Sequence, residues 1–176
     1  MSEEVVVESR ITSNRANLVV FSAVAMLVAG LGFMIVEAVV ASAWTSPPYS
    51  YVYDQLPDLG NPMCGPFQNR VICSPHDGLM NAMFVVHGSL FAFAGILLSR
   101  LMAGTARAAM FVLALVYVIG LSMITVFHQY AGMPAIVEDL NITGAFLGIL
   151  SGSIIAIIFG SQRRRLHLPP WPGPQA

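Results

Sequence analysis

Four apolar stretches divide this 176-residue chain, and each is long enough to cross the hydrocarbon core of a membrane. A helix needs roughly 20 apolar residues to span about 30 Å of hydrocarbon. Backbone groups in lipid must be hydrogen-bonded within the protein, so such stretches are expected to be helical. The chain is therefore predicted to be all-α, a polytopic four-helix transmembrane bundle. The predicted spans are 18–44, 79–99, 108–127 and 140–160.

Composition supports a membrane protein and excludes other classes. Only 10% of the residues are charged and 56% are hydrophobic, whereas soluble domains carry about 25% charged residues. So few charges could not cover the surface of a soluble domain. The net charge of −1 leaves no basic face for nucleic acid. We expect membrane lipids as surroundings and no nucleic-acid partner.

The arginines predict the orientation in the membrane. Seven of the eight basic residues lie on one side of the predicted spans: Arg10, Arg15, Arg100, Arg107, Arg163, Arg164 and Arg165. Arg70 alone lies on the other side. By the positive-inside rule, the seven-arginine side is cytoplasmic. The prediction is a multi-pass protein of the bacterial plasma membrane with a cytoplasmic tail 1–17, a membrane domain 18–160, an outer loop 45–78 and a cytoplasmic tail 161–176.

Both cysteines, Cys64 and Cys73, lie in the outer loop, on the side predicted to be oxidising. A single disulfide there would close a small hairpin around residues 67–70. A redox pair is the alternative, but the spacing is not Cys-x-x-Cys. The loop is also long and rich in proline, which favours a shaped cap over the ends of the helices. We therefore expect a disulfide-closed extracytoplasmic loop.

Four short segments carry a recognisable pattern: 56–61 (LPDLGN), 64–65 (CG), 70–75 (RVICSP) and 79–84 (LMNAMF). This pattern resembles the bacterial family of multi-span membrane proteins catalogued as domain of unknown function 998. Pro57 and Met83 stand where members have a serine and a small residue. The resemblance implies the membrane topology and the loop disulfide. Because no activity is assigned to that family, it implies no catalytic residue.

Two ionisable side chains lie within the predicted spans, where each costs several kcal/mol unless it is paired or hydrated. Glu37 and His87 come out at matching depth on neighbouring antiparallel spans, about 10–12 Å below the outer surface. An imidazolium–carboxylate pair is expected there, because each group would offset the desolvation of the other.

Six polar residues share the outer third of the predicted bundle: Glu37, His76, Asp77, Asn81, His87 and His128. Three interpretations fit them. In the first, these residues fix the helix register. In the second, they line an outward-facing cavity for a headgroup, ion or proton. In the third, the histidines bind a metal or haem. No His-x-x-x-His or Glu-x-x-His spacing is present. We therefore expect no metal and no cofactor.

The fourth span carries a small residue at every fourth position: Gly144, Gly148, Gly152, Ala156 and Gly160. Such a stripe lets another helix approach closely. It fits packing within the bundle, and it also fits contact with a second copy or another membrane protein.

The leading functional interpretation is a small accessory or ligand-binding and lipid-binding membrane protein without catalysis of its own. The alternative is an outward-facing membrane enzyme or transporter-like unit that uses Glu37, His87 and His128 in a polar cavity. Common hydrolase, metalloprotease and phosphate-loop motifs are missing from the sequence, which favours the first interpretation.

Overall fold

Four helices, each long and apolar enough to cross a membrane, make up most of the described chain. Their bounds are α1 Glu3–Ala43, α2 Asp77–Ser99, α3 Gly104–Val126 and α4 Ala135–Gln162. The apolar part of α1 is Ser13–Ala43. The prediction of an all-α, polytopic four-helix membrane bundle is confirmed.

The computed structural model describes residues 3–162, without the side chains of residues 3–9, 11 and 12. Most of the predicted C-terminal tail lies outside the described residues, including Arg163, Arg164 and Arg165.

The helices pack in chain order, each antiparallel to the one before it. On α2, Gly88 lies against Leu121 of α3, and Gly95 lies against Ala114. Within the described residues, the helix pairs with extensive contact are α1–α2, α2–α3 and α3–α4. Because α1 and α4 are not such a pair, the bundle is open along one side. We call the end that carries the segment between α1 and α2 the cap end, and the opposite end the tail end.

Glycines bring α3 and α4 unusually close together. A Cβ on Gly144 would lie 2.7 Å from the Gly120 carbonyl oxygen, and one on Gly152 would lie 2.9 Å from the Tyr117 ring. Gly148 also faces α3. Three members of the small-residue stripe therefore pack within the bundle. The other two lie in more open surroundings: Ala156 is exposed, and Gly160 has open space where a Cβ would be.

The segment between α1 and α2 folds into a cap. It contains a 3₁₀ helix, Leu56–Gly60, and an antiparallel hairpin of β1 (Gly65–Phe67) and β2 (Arg70–Ile72). Cys64 and Cys73 are joined next to the open end of the hairpin, with their Cα atoms 4.2 Å apart. The predicted disulfide-closed loop is confirmed.

Two apolar clusters hold these parts together. At the cap end, Leu59, Phe67 and Ile72 of the cap pack with Val40 and Phe84 of the helices. At the tail end, a second cluster joins residues of all four helices: Met26, Leu98, Met110 and Ile155 are among its members. The cap is therefore anchored on the helices by apolar packing, and the tail end is closed.

The close α3–α4 contact predicts opposite effects for two glycines of one stripe. Gly144→Ala should lower the stability by about 1–3 kcal/mol, because the new methyl group meets backbone and side-chain atoms of α3. Gly160→Ala meets nothing within 4 Å and should be neutral or slightly stabilising, since alanine favours helix. Thermal unfolding in detergent measures both. Equal melting temperatures for the two variants would contradict this packing.

Candidate functional site

The cap is built around one buried ion pair. The Arg70 Nε donates to Asp58 Oδ2 at 2.7 Å, and a terminal nitrogen donates to Oδ1 at 3.2 Å. The Arg70 side chain is 8% exposed and that of Asp58 1%. Asp58 also accepts a hydrogen bond from the Gln55 backbone N–H at 2.9 Å. This two-point geometry fixes the hairpin against the 3₁₀ helix and supplies the hydrogen bonds that a buried carboxylate requires.

Hydrogen bonds extend this pair to the connection between α3 and α4. Arg70 donates to the Gln129 side-chain oxygen at 3.2 Å, and the Asn61 amide donates to the Gln129 carbonyl. Ser74 donates to the Leu59 carbonyl at 2.6 Å. Asn61 and Gln129 are both buried. The cap and the α3–α4 connection therefore form one hydrogen-bonded unit.

Three of the predicted site residues meet at the base of this unit. The Asn81 amide donates to the Gly60 carbonyl at 2.7 Å, and its nitrogen lies 3.3 Å from His128 Nε2. A Cβ on Gly60 would collide with the Asn81 side-chain oxygen, so a larger residue there would displace the Asn81 amide. Burial lowers the pKa of His128, and the nearby Asp77 carboxylate and a backbone hydrogen bond with Gly60 oppose that shift. These residues join the cap to the start of α2.

His87 lies apart from that group, deeper in the bundle. It is ten residues into α2, about 15 Å from the cap end at 1.5 Å per residue. Its Nδ1 is 3.0 Å from the Ala29 carbonyl oxygen, and its Nε2 is 2.8 Å from the Tyr117 hydroxyl. The rings of Phe33 and Phe91 lie against it. His87 therefore links α1, α2 and α3 near the middle of α2.

The predicted ion pair between Glu37 and His87 is wrong. His87 is level with Ala29 on α1, and Glu37 is eight residues, about 12 Å, closer to the cap end. Helix bounds account for about half of this offset, because Glu37 lies six residues from the end of α1 and His87 ten residues from the start of α2. The rest of the offset arises because the two helices do not end at the same level at the cap end. Burial, the Asp58 carboxylate and the Glu37 carboxylate, in that order, raise the pKa of Tyr49 in the cap.

His76 takes no part in either group. Its side chain is exposed, and its carbonyl accepts the backbone N–H groups of Leu79 and Met80 at the first turn of α2. The six predicted site residues therefore do not form one group. Asp77, Asn81 and His128 lie together, whereas Glu37, His76 and His87 lie in separate places.

A cavity of about 510 Å³ lies between the four helices, below the cap. Small-molecule sites typically have about 300–1,000 Å³. Leu56 and Pro57 of the 3₁₀ helix form its roof. Of the residues discussed as candidates, His87 lines it, whereas Glu37 and His128 do not. The remaining lining residues are Phe33, Phe84, Phe91, Tyr117, Leu121, Ile124, Ala145, Gly148, Ile149, Gly152 and Ser153.

The cavity reaches the surface between α1 and α4. Ile149 is 67% exposed and the neighbouring Ser153 is also exposed, yet both line the cavity. Phe33 lines it from α1. Since α1 and α4 make little contact, the opening faces the position of the lipid chains in a membrane.

Sequence reasoning missed the Asp58–Arg70 pair, Gln129 and Tyr117. Two signals could have found part of the set. Arg70 is the only arginine on its side of the predicted spans, and that side carries several carboxylates, so an ion pair there was a reasonable candidate. Tyr117 is the only tyrosine inside a predicted span, and its hydroxyl needed a hydrogen bond. Nothing in the local sequence around Gln129 indicates its contact with Arg70.

No family model, no curated protein and no solved structure matches this chain. Among residues 3–162, no group of three or more His, Cys, Asp or Glu side chains is arranged to hold a metal ion. The resemblance to the domain of unknown function 998 family and the expected lack of a cofactor stay predictions.

The cap ion pair predicts a large loss of stability when one partner is removed. Arg70→Met leaves the Asp58 carboxylate buried without its counter-ion, which should cost about 3–5 kcal/mol. Glu138→Gln is the control, because Glu138 makes an exposed hydrogen bond to Gln68 and its loss should cost about 0.5 kcal/mol or less. Thermal unfolding in detergent measures both. An Arg70→Met variant as stable as Glu138→Gln would contradict the role given to the pair.

The lowered pKa of His128 predicts a pH dependence. The ordinary pKa of histidine is about 6.5. Just below that pH the unfolded chain binds a proton at His128, whereas the folded protein binds it only at a lower pH. Stability should therefore fall as the pH falls from 7 to 5. His128→Gln should reduce that slope, with His76→Gln as the control at an exposed position. Melting temperatures measured at several pH values give the slope. Equal slopes for His128→Gln and wild type would contradict this prediction.

Proposed function

We propose that this integral membrane protein binds a small apolar molecule from the bilayer in the cavity between its helices, without catalysis of its own. The cavity carries the proposal. Its volume of about 510 Å³ is in the range of ligand sites, and its wall is apolar apart from a few polar side chains, as is usual for such sites.

The opening between α1 and α4 supports uptake from the lipid phase. Ile149 and Ser153 border the cavity and are exposed on α4, whereas the cap covers the cavity from above with Leu56 and Pro57. A water-soluble ligand would have to cross the cap. A molecule dissolved in the membrane would enter sideways.

We place the protein in the bacterial plasma membrane with the cap outside and both termini in the cytoplasm. The arginine distribution supports this orientation. The Cys64–Cys73 disulfide supports it independently, because disulfides persist in oxidising compartments. An accessory role beside another membrane protein is compatible with this function, and Ala156 is an exposed position on α4 where such a partner could meet the chain.

The alternative of an enzyme or transporter-like unit required Glu37, His87 and His128 to act together. Glu37 and His87 are separated by about two helical turns, and His128 belongs to the base of the cap. The geometry therefore gives that alternative no shared cavity, and we do not carry it further.

The test is to fill the cavity and to look for the loss of a bound molecule. Ser153→Phe places a large apolar ring at the wall of the cavity, at an exposed position that tolerates it. Ala156→Phe is the matched control, because it adds the same ring to an exposed position of α4 that does not line the cavity. Native mass spectrometry of gently solubilised protein measures the bound molecule.

We expect wild type and Ala156→Phe to retain a non-covalent adduct that Ser153→Phe has mostly lost. Comparable melting temperatures would show that the three proteins are equally folded. The proposal fails if wild type carries no bound apolar molecule and takes up none from added lipid extract. It also fails if Ser153→Phe binds as much as Ala156→Phe.

A further inference from the structure

The chemical class of the ligand can be inferred from the hydrogen-bond donors and acceptors that the cavity lining presents. Three lining side chains are polar: His87, Tyr117 and Ser153. Each already takes part in a hydrogen bond within the protein. The hydrogen bonds that these side chains can make with a ligand therefore depend on which of their atoms have already donated a proton and which still have a free lone pair.

His87 determines the state of Tyr117. A carbonyl oxygen only accepts, so the contact between His87 Nδ1 and the Ala29 carbonyl places the imidazole proton on Nδ1. The neutral ring then has an unprotonated Nε2, and the Tyr117 hydroxyl must donate to it. Tyr117 has no second proton. Its oxygen is left able to accept, and unable to donate.

Ser153 is in the same state. Its hydroxyl donates to the Ile149 carbonyl one turn earlier in α4, at 2.8 Å. The oxygen keeps a free lone pair. All three polar side chains of the lining have thus used their protons inside the protein, and the side chains of the cavity offer hydrogen-bond acceptors without a donor.

The lack of acidic and arginine side chains in the lining restricts the class of ligand further. The lining contains no arginine, aspartate or glutamate, and the one salt bridge among the described residues is that of Arg70 with Asp58 in the cap. An ionised headgroup would find no counter-charge in the cavity and would cost several kcal/mol to bury there. No carboxylate lines the cavity that could act as a counter-ion for an imidazolium at His87.

Resting on the proposed function, we infer that the cavity selects a neutral apolar molecule that carries a hydroxyl group, a lipid alcohol from the bilayer. Its O–H donates to the Tyr117 oxygen, and its apolar body lies against the aromatic and aliphatic wall. A ketone, aldehyde or ether of the same shape leaves its oxygen buried beside acceptors, which is unfavourable.

Farnesol and farnesal test this selectivity, because they have the same carbon skeleton and differ in one functional group, an alcohol or an aldehyde. The full-length protein in detergent is incubated with an equimolar mixture, separated from free probe, extracted and analysed by gas chromatography–mass spectrometry. Ser153→Phe, with an aromatic ring added at the edge of the cavity, gives the background from the micelle. We expect about ten times more farnesol than farnesal above that background, the effect of one unsatisfied buried polar group.

A substitution at His87 should change the preference in a way that a structural role would not. His87→Phe keeps an aromatic ring beside Phe33 and Phe91 and frees the Tyr117 proton. Tyr117 can then donate to farnesal or accept from farnesol, so the ratio should fall to about one. Phe91→Leu is the control: it alters the wall and leaves the His87–Tyr117 bond in place, so the ratio should stay near ten.

The outcomes separate this inference from the proposed function. Equal binding of the two probes to wild type, or more farnesal than farnesol, overturns the inference and leaves a lipid-binding cavity. A co-purified native molecule without any O–H or N–H group overturns it as well. Binding of neither probe above the Ser153→Phe background, with no native molecule in the cavity, overturns the proposed function itself. The wild-type measurement decides these points even if His87→Phe does not fold.

Discussion

A carboxylate that is 1% exposed must be neutralised where it lies, and the guanidinium of Arg70 does this for Asp58. The pair joins residues twelve positions apart in the chain, so neither group can be buried until the hairpin and the 3₁₀ helix have come together. The disulfide between Cys64 and Cys73 closes the same hairpin. Burial of charge thus couples the parts of the cap, and the cap forms as a unit.

The cavity depends on that unit through the chain itself. Leu56 and Pro57, which cover the cavity, belong to the same 3₁₀ helix as Asp58. Any movement of the ion pair therefore moves the roof. Deeper in the bundle, the His87–Tyr117 bond holds α2 to α3, and the apolar cluster at the tail end holds the four helices together. The proposed ligand site is bounded by the hydrogen-bonded cap above and by the apolar cluster of the tail end below.

The sequence was sufficient for the features that follow from local composition. Four apolar stretches predicted four helices, and two cysteines in one loop predicted the disulfide, because lipid and an oxidising compartment leave few alternatives. Relations between distant residues could not be obtained in this way. The depth of His87 relative to Glu37 depends on where α1 ends and α2 begins, and on how far the two helices are shifted along each other when they pack. The partners of Arg70 and Tyr117 depend on tertiary packing, for which one sequence contains no pattern.

The unequal spacing of the helices has a consequence for binding strength. At Gly120 and Gly144, α3 and α4 pack so closely that their backbones are in contact. In contrast, α1 and α4 make little contact with each other. Under the proposed function, a molecule entering through that gap comes from the bilayer, so its effective concentration is its mole fraction among the lipids and not its concentration in water. Most of the hydrophobic free energy is then gained on entering the membrane, before the protein is met. The protein itself has to supply only the small difference between lipid and cavity, and a single hydrogen bond in the cavity becomes a large share of that difference.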